Sequence, residues 1–257
     1  MICFIDIAIG DCYYSMQNLL GYDITMKEKR IGAIIVAAGK GERMKSRLPK
    51  QFVSLANKPV FIYSLEKFQH AAEIDDIILV VPQDYIEHTK HVLQEFFFSK
   101  VHKIVAGGIK RQDSVYNGLK ALDINKYEIF IIHDAVRPFV EESIISQVID
   151  QAKKKGAAIA AISAVDTIKE ITANGRIVKT LERNKLVQVQ TPQAFQTEIL
   201  LKAFQLARRE GFYGTDEAAL VERLGNPVYI VESSPNNIKI TTENDLRLAK
   251  AIVSENP

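Results

Sequence analysis

Cysteine is nearly missing from this chain of 257 residues: only Cys3 and Cys12 occur, both ahead of the first strong apolar run. No disulfide framework and no metal-ligand spacing can be built from them, which favours a reducing cytoplasm. An excess of one charge is lacking too. Lys and Arg number 33 against 31 Asp and Glu, a net charge of +2 with no long basic run, so no nucleic-acid partner is expected. Any anionic ligand should be small and locally bound. A membrane span is also absent. Met1 to Lys29 is apolar in places (Ile2-Cys3-Phe4-Ile5), but Asp6 and Asp11 interrupt it and no basic segment precedes it. Because Met26 stands just before the core pattern, residues 1–29 read as an N-terminal extension outside the fold, a start-site artefact or a disordered segment. Internal repeats, low-complexity linkers and a covalent-nucleophile motif are likewise missing, so the chemistry should rest on positioning and charge.

What is present suits one large α/β domain over residues 30–257: 47% of residues are hydrophobic and 25% charged. Short apolar runs alternate with segments of helical period, the pattern of βαβ units and a mainly parallel sheet. Strands are expected at Ile31–Ala38, Ile77–Val81, Lys103–Ala106, Ile129–Ile132 and Ala157–Ile162. Helices are expected at Pro59–His70, Asp84–Phe97, Gln112–Leu122 and Glu141–Lys155, the last stopped by Gly156. The alternation then breaks. Thr167–Ile171 and Arg176–Leu181 flank Asn174-Gly175, favoured chemistry for a tight hairpin, and predict a protruding β-arm within about residues 164–188. Beyond it the pattern predicts helices at Glu198–Arg209 and Asp216–Leu224, the latter capped by Thr215, and strands at Val228–Val231 and Ile238–Ile240. A final helix, Glu243–Ile252, should be capped by Thr241 or Thr242.

Three loops carry the chemistry. Ala37-Ala38-Gly39-Lys40-Gly41-Glu42-Arg43-Met44 follows a buried strand, where glycines can present N–H groups to an anion. It misses both the dinucleotide fingerprint and the Walker loop at Met44, so the glycines alone read as an ordinary turn. The cations that follow, Arg43, Lys45, Arg47 and Lys50, tip the balance toward a triphosphate, with Arg43 and Lys50 the chosen pair. The second loop is His133-Asp134-Ala135-Val136-Arg137-Pro138. It places Asp134 at a strand's carboxyl end, where open α/β sheets bind ligands and a carboxylate can hold Mg²⁺ against phosphates; His133 reads as a hydrogen-bonded strand-end residue. In the third, Gly107-Gly108-Ile109-Lys110-Arg111-Gln112-Asp113-Ser114, glycines can approach a base or ribose and Ser114 can donate a hydroxyl. Lys239 by itself reads as a surface lysine.

Taken in order, these loops with Pro49-Lys50-Gln51-Phe52, Asp166-Thr167-x-Lys169, Thr191-Pro192-Gln193, Thr215-Asp216-Glu217-Ala218 and Asn237-Ile238-Lys239 make the chain resemble the 2-C-methyl-D-erythritol 4-phosphate cytidylyltransferases from Ile31 onward. The resemblance implies a Rossmann-like nucleotidyltransferase domain that transfers CMP from CTP to methylerythritol phosphate with Mg²⁺. It implies that Ala37, Ala38, Gly39, Gly41 and Arg43 hold the CTP phosphates, and that Gly107, Gly108 and Ser114 read cytosine and ribose. Asp134 would bind the metal, with Arg43, Lys50 and Lys239 catalytic. Arg137, Thr167, Arg183, Thr215 and Lys239 would position the second substrate, and the arm would cross into a partner of a homodimer. Ile109 and Glu182 depart from residues frequent in the family. Rival readings are a ribitol 5-phosphate cytidylyltransferase and a non-catalytic nucleotide sensor; Arg111-Gln112-Asp113-Ser114 and Thr215-Asp216-Glu217-Ala218 favour methylerythritol phosphate, and Arg43, Lys50, Asp134 and Lys239 together argue against a sensor.

Overall fold

The computed structural model describes residues 29–39, 41, 44 and 48–255. The N-terminal extension other than Lys29, both cysteines and Arg43 therefore lie outside the described residues.

Strands β1 (Arg30–Val36), β2 (Asp76–Val81), β3 (Val101–Ala106), β4 (Tyr127–Asp134) and β5 (Ala157–Ser163) arise from the continuous apolar runs. Helices α1 (Val60–His70), α2 (Ile86–Gln94), α3 (Arg111–Lys120) and α4 (Glu142–Lys155) connect them. The hairpin strands β6 (Lys169–Ile171) and β7 (Ile177–Thr180) form the arm. Then come β8 (Val187–Gln196), α5 (Thr197–Glu210), α6 (Glu217–Arg223), β9 (Tyr229–Glu232) and α7 (Glu243–Glu255). Seven strands share one sheet in the order β9-β5-β8-β4-β1-β2-β3. Every pairing is parallel except those of β8, which runs antiparallel to both β4 and β5.

The period of two along β1 divides its side chains between two cores. Ile31, Ala33 and Ile35 pack with Phe61, Leu65 and Phe68 of α1 and Ile145 and Val148 of α4, whereas Ile34 packs with Leu119 of α3 and Phe204 of α5. Burying side chains of this size stabilises the fold by about 1.5–3 kcal/mol each relative to exposure. Winding runs outward from β1 to β2 and β3, with α1 and α2 on one face, then returns by α3 on the other face to β4. The switch point thus falls between the carboxyl ends of β1 and β4, where Val36 pairs with Asp134.

The structure departs from the expectations in five places. Strand β8 is not among the expected strands; Pro192 lies within it, and the ladder breaks between Val189 and Gln193, so no ladder hydrogen bond is asked of the proline. Ile238–Ile240 is no strand. Ile240 is fully buried beside Leu55, Val60 and Val136, and one bond from Ile240 N to Val136 O (2.9 Å) holds the segment. The cap of α6 is Asp216, not Thr215: Asp216 is extended and accepts from Ala219 N at 3.0 Å, leaving Thr215 exposed outside the helix. Helix α2 is shorter than expected, because Gln83–Tyr85 forms a 3-10 turn before it and the helix stops at Gln94. The arm's turn is wider than a two-residue one, with Gly175 N bonded to Thr172 O and Thr172 N to Arg176 O, both 2.9 Å. Of the two proposed caps for α7, Thr242 serves: it accepts from Asp245 N at 3.2 Å while Asp245 accepts from Thr242 N at 2.8 Å, a reciprocal box.

Candidate active site

The carboxyl ends of β1, β3 and β4 open into a cleft of about 640 Å³. Ala37, Ala38, Gly39, Gly41, Lys50, Gly108, Ser114, Asp134 and Lys239, all singled out from the sequence, line it. Four cations line it as well, Lys50, Lys110, Arg111 and Lys239, against one carboxylate among the described residues, Asp134. That balance suits a polyanion.

Backbone geometry explains the glycines that most constrain the loops. Gly41 has φ +69°, and a Cβ there would come within 3.0 Å of Lys50 N, so the loop rests directly on the residue that begins the Lys50–Phe52 turn. Gln51, buried in that turn, ties it back to the strand end through a bond from Nε2 to Ala37 O. Gly107 serves packing more than ligand approach: a Cβ would lie 2.3 Å from Ala38 Cβ, so only glycine lets the two loops touch. In the same loop Gly108 N donates to Ser114 Oγ (3.0 Å), and Ser114 Oγ donates to Lys110 O (3.2 Å).

Asp134 is the centre of the charge network. It is 6% exposed, and its Oδ1 accepts from Arg111 Nε at 3.0 Å and its Oδ2 from Lys239 Nζ at 2.6 Å. Burial alone would raise this carboxyl, but Arg111 and Lys239 outweigh it and hold Asp134 far below the usual carboxylate range. Arg111 Nη1 is gripped by both oxygens of Glu217, at 2.9 and 2.7 Å. Burial works against the guanidinium charge, yet Glu217 and Asp134 more than compensate and keep Arg111 firmly protonated.

Behind Asp134 a chain of hydrogen bonds fixes a tautomer. The Arg137 carbonyl can only accept, so His133 Nε2 donates to it (3.1 Å); Nδ1 must then accept, and takes the Thr191 hydroxyl at 3.1 Å. The same Thr191 oxygen accepts from Asp134 N at 3.0 Å. Full burial pushes His133 down to about 4 from an ordinary 6.5, so it is neutral as this chain requires. In the unfolded chain it takes its proton near 6.5, so its contribution to stability is full above that pH and is lost as pH falls from about 6.5 to about 4. Between pH 7 and pH 4.5 this group costs about 2–3 kcal/mol. Urea unfolding of wild type and His133→Gln at both values should show the smaller acid loss in the variant; equal losses would refute the assignment.

The remaining expected residues lie elsewhere. Arg137 is buried behind the cleft and donates from Nη1 to Asn237 O at 2.7 Å, with Nε lacking a partner among the described residues. Thr167 and Arg183 are exposed on the arm, Arg183 bonding to Val165 O, and Thr215 is exposed in the loop before α6; none of these four lines the cleft. Arg111, Thr191, Glu217 and Asn237 stood in sequence motifs without a role. Asn237 bonds through Nδ2 to Gln190 Oε1 (2.8 Å) and Thr191 O (2.9 Å), anchoring the segment that delivers Lys239. Glu217 follows Asp216 and opens the apolar run Ala218-Ala219-Leu220, so only its place at the head of a core-facing helix hinted at burial, and the sequence does not name its cation partner.

A doubly wound sheet with glycine loops and a cation-rich cleft at its switch point defines a nucleotide-handling α/β enzyme of the Rossmann-like class. The profile of the IspD family, 2-C-methyl-D-erythritol 4-phosphate cytidylyltransferase, matches residues 31–255, and the chain belongs to that family. It is 48% identical over 231 residues to the enzyme so named from Syntrophus aciditrophicus, covering 90% of this chain and 98% of the relative. The namesake from Shouchella clausii is 44% identical, with 87% and 96% covered. Among solved structures, 4-diphosphocytidyl-2C-methyl-D-erythritol synthase from Anaerococcus prevotii superposes with a TM-score of 0.79 at 32% identity, covering 88% of this chain and 96% of that one.

Proposed function

We propose that this chain transfers CMP from CTP to 2-C-methyl-D-erythritol 4-phosphate, releasing pyrophosphate, in isoprenoid precursor synthesis. The observation that carries this reading is the cleft at the β1/β4 switch point, lined by four cations and one ionised carboxylate within a chain of this family. The nucleophile is a phosphate-monoester oxygen of the second substrate, largely ionised near neutral pH. It attacks the α-phosphorus of CTP, the bond to the bridging oxygen breaks, and that electron pair leaves with pyrophosphate. No general base is needed. The obstacle is the approach of two anions.

The residues of the chain meet that obstacle by position. Gly39 and Gly41 bring backbone close to the phosphates, Lys50 and Lys239 offset their charge, and Ser114 with Gly108 holds the nucleoside. Arg43 takes part from the same loop. Asp134 suits Mg²⁺: it is the cleft's one carboxylate among the described residues, and with Oδ1 accepting from Arg111 and Oδ2 from Lys239 each oxygen keeps a lone pair that could hold a divalent cation. When bound, Mg²⁺ supplies charge neutralisation at the phosphates.

Thr167 and Arg183 act on the second substrate from the arm of a partner subunit, in a homodimer. In support, Ile171, Ile177 and Val178 on the arm expose more than half of their surface, and the arm's strands pair only with each other. Arg137 and Thr215 complete that subsite. No helix among the described residues is long and apolar enough to cross a membrane, in keeping with a cytoplasmic enzyme.

Pyrophosphate release with CTP and Mg²⁺ tests the reading. Methylerythritol 4-phosphate should support turnover at least tenfold better than ribitol 5-phosphate; the reverse preference would overturn the substrate, and CTP binding without release would make the protein a sensor.

A further inference from the structure

Glu217 touches no cleft surface, yet it is 1% exposed at the start of α6, among Ala218, Leu220 and Val221, which are also buried. Burying an ion pair is a poor route to stability, since apolar side chains of similar volume commonly do as well. The pairing geometry gives Glu217 a purpose. A guanidinium meets a carboxylate best through two parallel bonds, and the edge facing Asp134 offers Nε and Nη2 for such a fork. Only Nε is used. It reaches Oδ1 at 3.0 Å while Nη2 has no partner among the described residues, and Asp134 Oδ2 goes instead to Lys239. Nη1, at the far end, is held by both oxygens of Glu217.

We infer that Glu217 is a positioning residue: by holding Arg111 at Nη1 it prevents Arg111 from closing a two-point pair on Asp134, and so keeps that carboxylate open to the divalent cation that accompanies the nucleotide. The inference rests on the reading of Asp134 as the ligand of that cation. Without the charge on Glu217, Arg111 advances onto Asp134, Nη2 takes Oδ2, and the lone pairs that a cation needs are occupied. Glu217 thus governs the metal's share of nucleotide binding without touching metal or nucleotide.

Calorimetric titration of CTP in Mg²⁺ and in EDTA tests this on wild type, Glu217→Gln, Glu217→Asp and Asp134→Asn. The ratio of the two dissociation constants is the readout, and folding is checked by circular dichroism. Glu217→Gln should lose at least tenfold of the Mg²⁺-dependent gain while its affinity in EDTA stays within about threefold of wild type. Glu217→Asp, which keeps the charge, should recover part of the gain. In an Arg111→Gln background, Glu217→Gln should cost nothing further. A merely structural role would weaken both affinities alike and leave the ratio unchanged. The wild-type ratio in Glu217→Gln alongside its loss in Asp134→Asn overturns the inference alone. The wild-type ratio in Asp134→Asn removes Asp134 as the ligand and the inference with it. A further loss in the Arg111→Gln background overturns the route through Arg111.

Discussion

Lys50→Ala should lower kcat/KM for CMP transfer by about 10²–10³, the effect of deleting one well-placed donor to a charge that develops in the transition state. Position gives Lys50 that weight. The turn it begins is tied to the end of β1 by Gln51, and the Gly41 backbone rests on it, so its amine is delivered into the cleft from a fixed base. Lys50 Cβ and Cγ lie beside Gly41 as well, yet the backbone of the turn and the Gln51 bond do not need the amine, so the fold should be kept, with a stability loss of at most about 1 kcal/mol. The two readings separate cleanly: steady-state kinetics should show the large loss while thermal unfolding shows a small shift. Turnover near wild type would remove Lys50 from the reaction, and a large fall in melting temperature would make its role structural.

The second large effect is on folding. Asp134→Ala removes the acceptor shared by Arg111 and Lys239 and the negative charge that Arg137 also faces, leaving Glu217 on Arg111 alone. Breaking a buried pair on one side costs about 3 kcal/mol, somewhat less here because Lys239 stands at the cleft mouth with its side chain 37% exposed. For a domain of this size that is a fall of roughly 6–12 °C in melting temperature. Added tripolyphosphate should restore part of it, since an anion can neutralise the stranded cations. An unchanged melting temperature would show that the network contributes nothing net. Asp134→Asn, which keeps one acceptor, should fall less.

The parts of the fold written in local periodicity were legible from residues alone. The runs Ile77–Val81 and Ile129–Ile132 lie within β2 and β4, and Gly156 ends α4 where a glycine was expected to end it. What failed depended on partners distant in sequence. Val187–Gln196 carries a proline and alternating polar residues, and becomes a central strand only because β4 and β5 supply neighbours on both sides. Ile238–Ile240 has the composition of a strand, yet its apolar residues answer to α7 and the segment after β4. The site divides in the same way. Asp134 could be placed from a strand end, but Lys239 gave no local signal; 105 residues separate it from the carboxylate it meets. Glu217 and Arg111, 106 apart, are another such pair.

Strand β8 has two different halves. Val187 to Val189 leaves the arm largely exposed, whereas Thr191 to Phe195 is buried between β4 and β5, with the Thr191 hydroxyl on the amide of Asp134. The arm and the floor beneath Asp134 are therefore consecutive lengths of one strand, joined across the break in its ladder between Val189 and Gln193. Transplanting an arm between relatives at a junction inside 187–193 would tilt the floor along with it, whereas splices at Ala164 and Leu186, where a single backbone bond (Ala164 N to Leu186 O, 3.1 Å) already pins the two stems together, would exchange the arm and leave the floor in place.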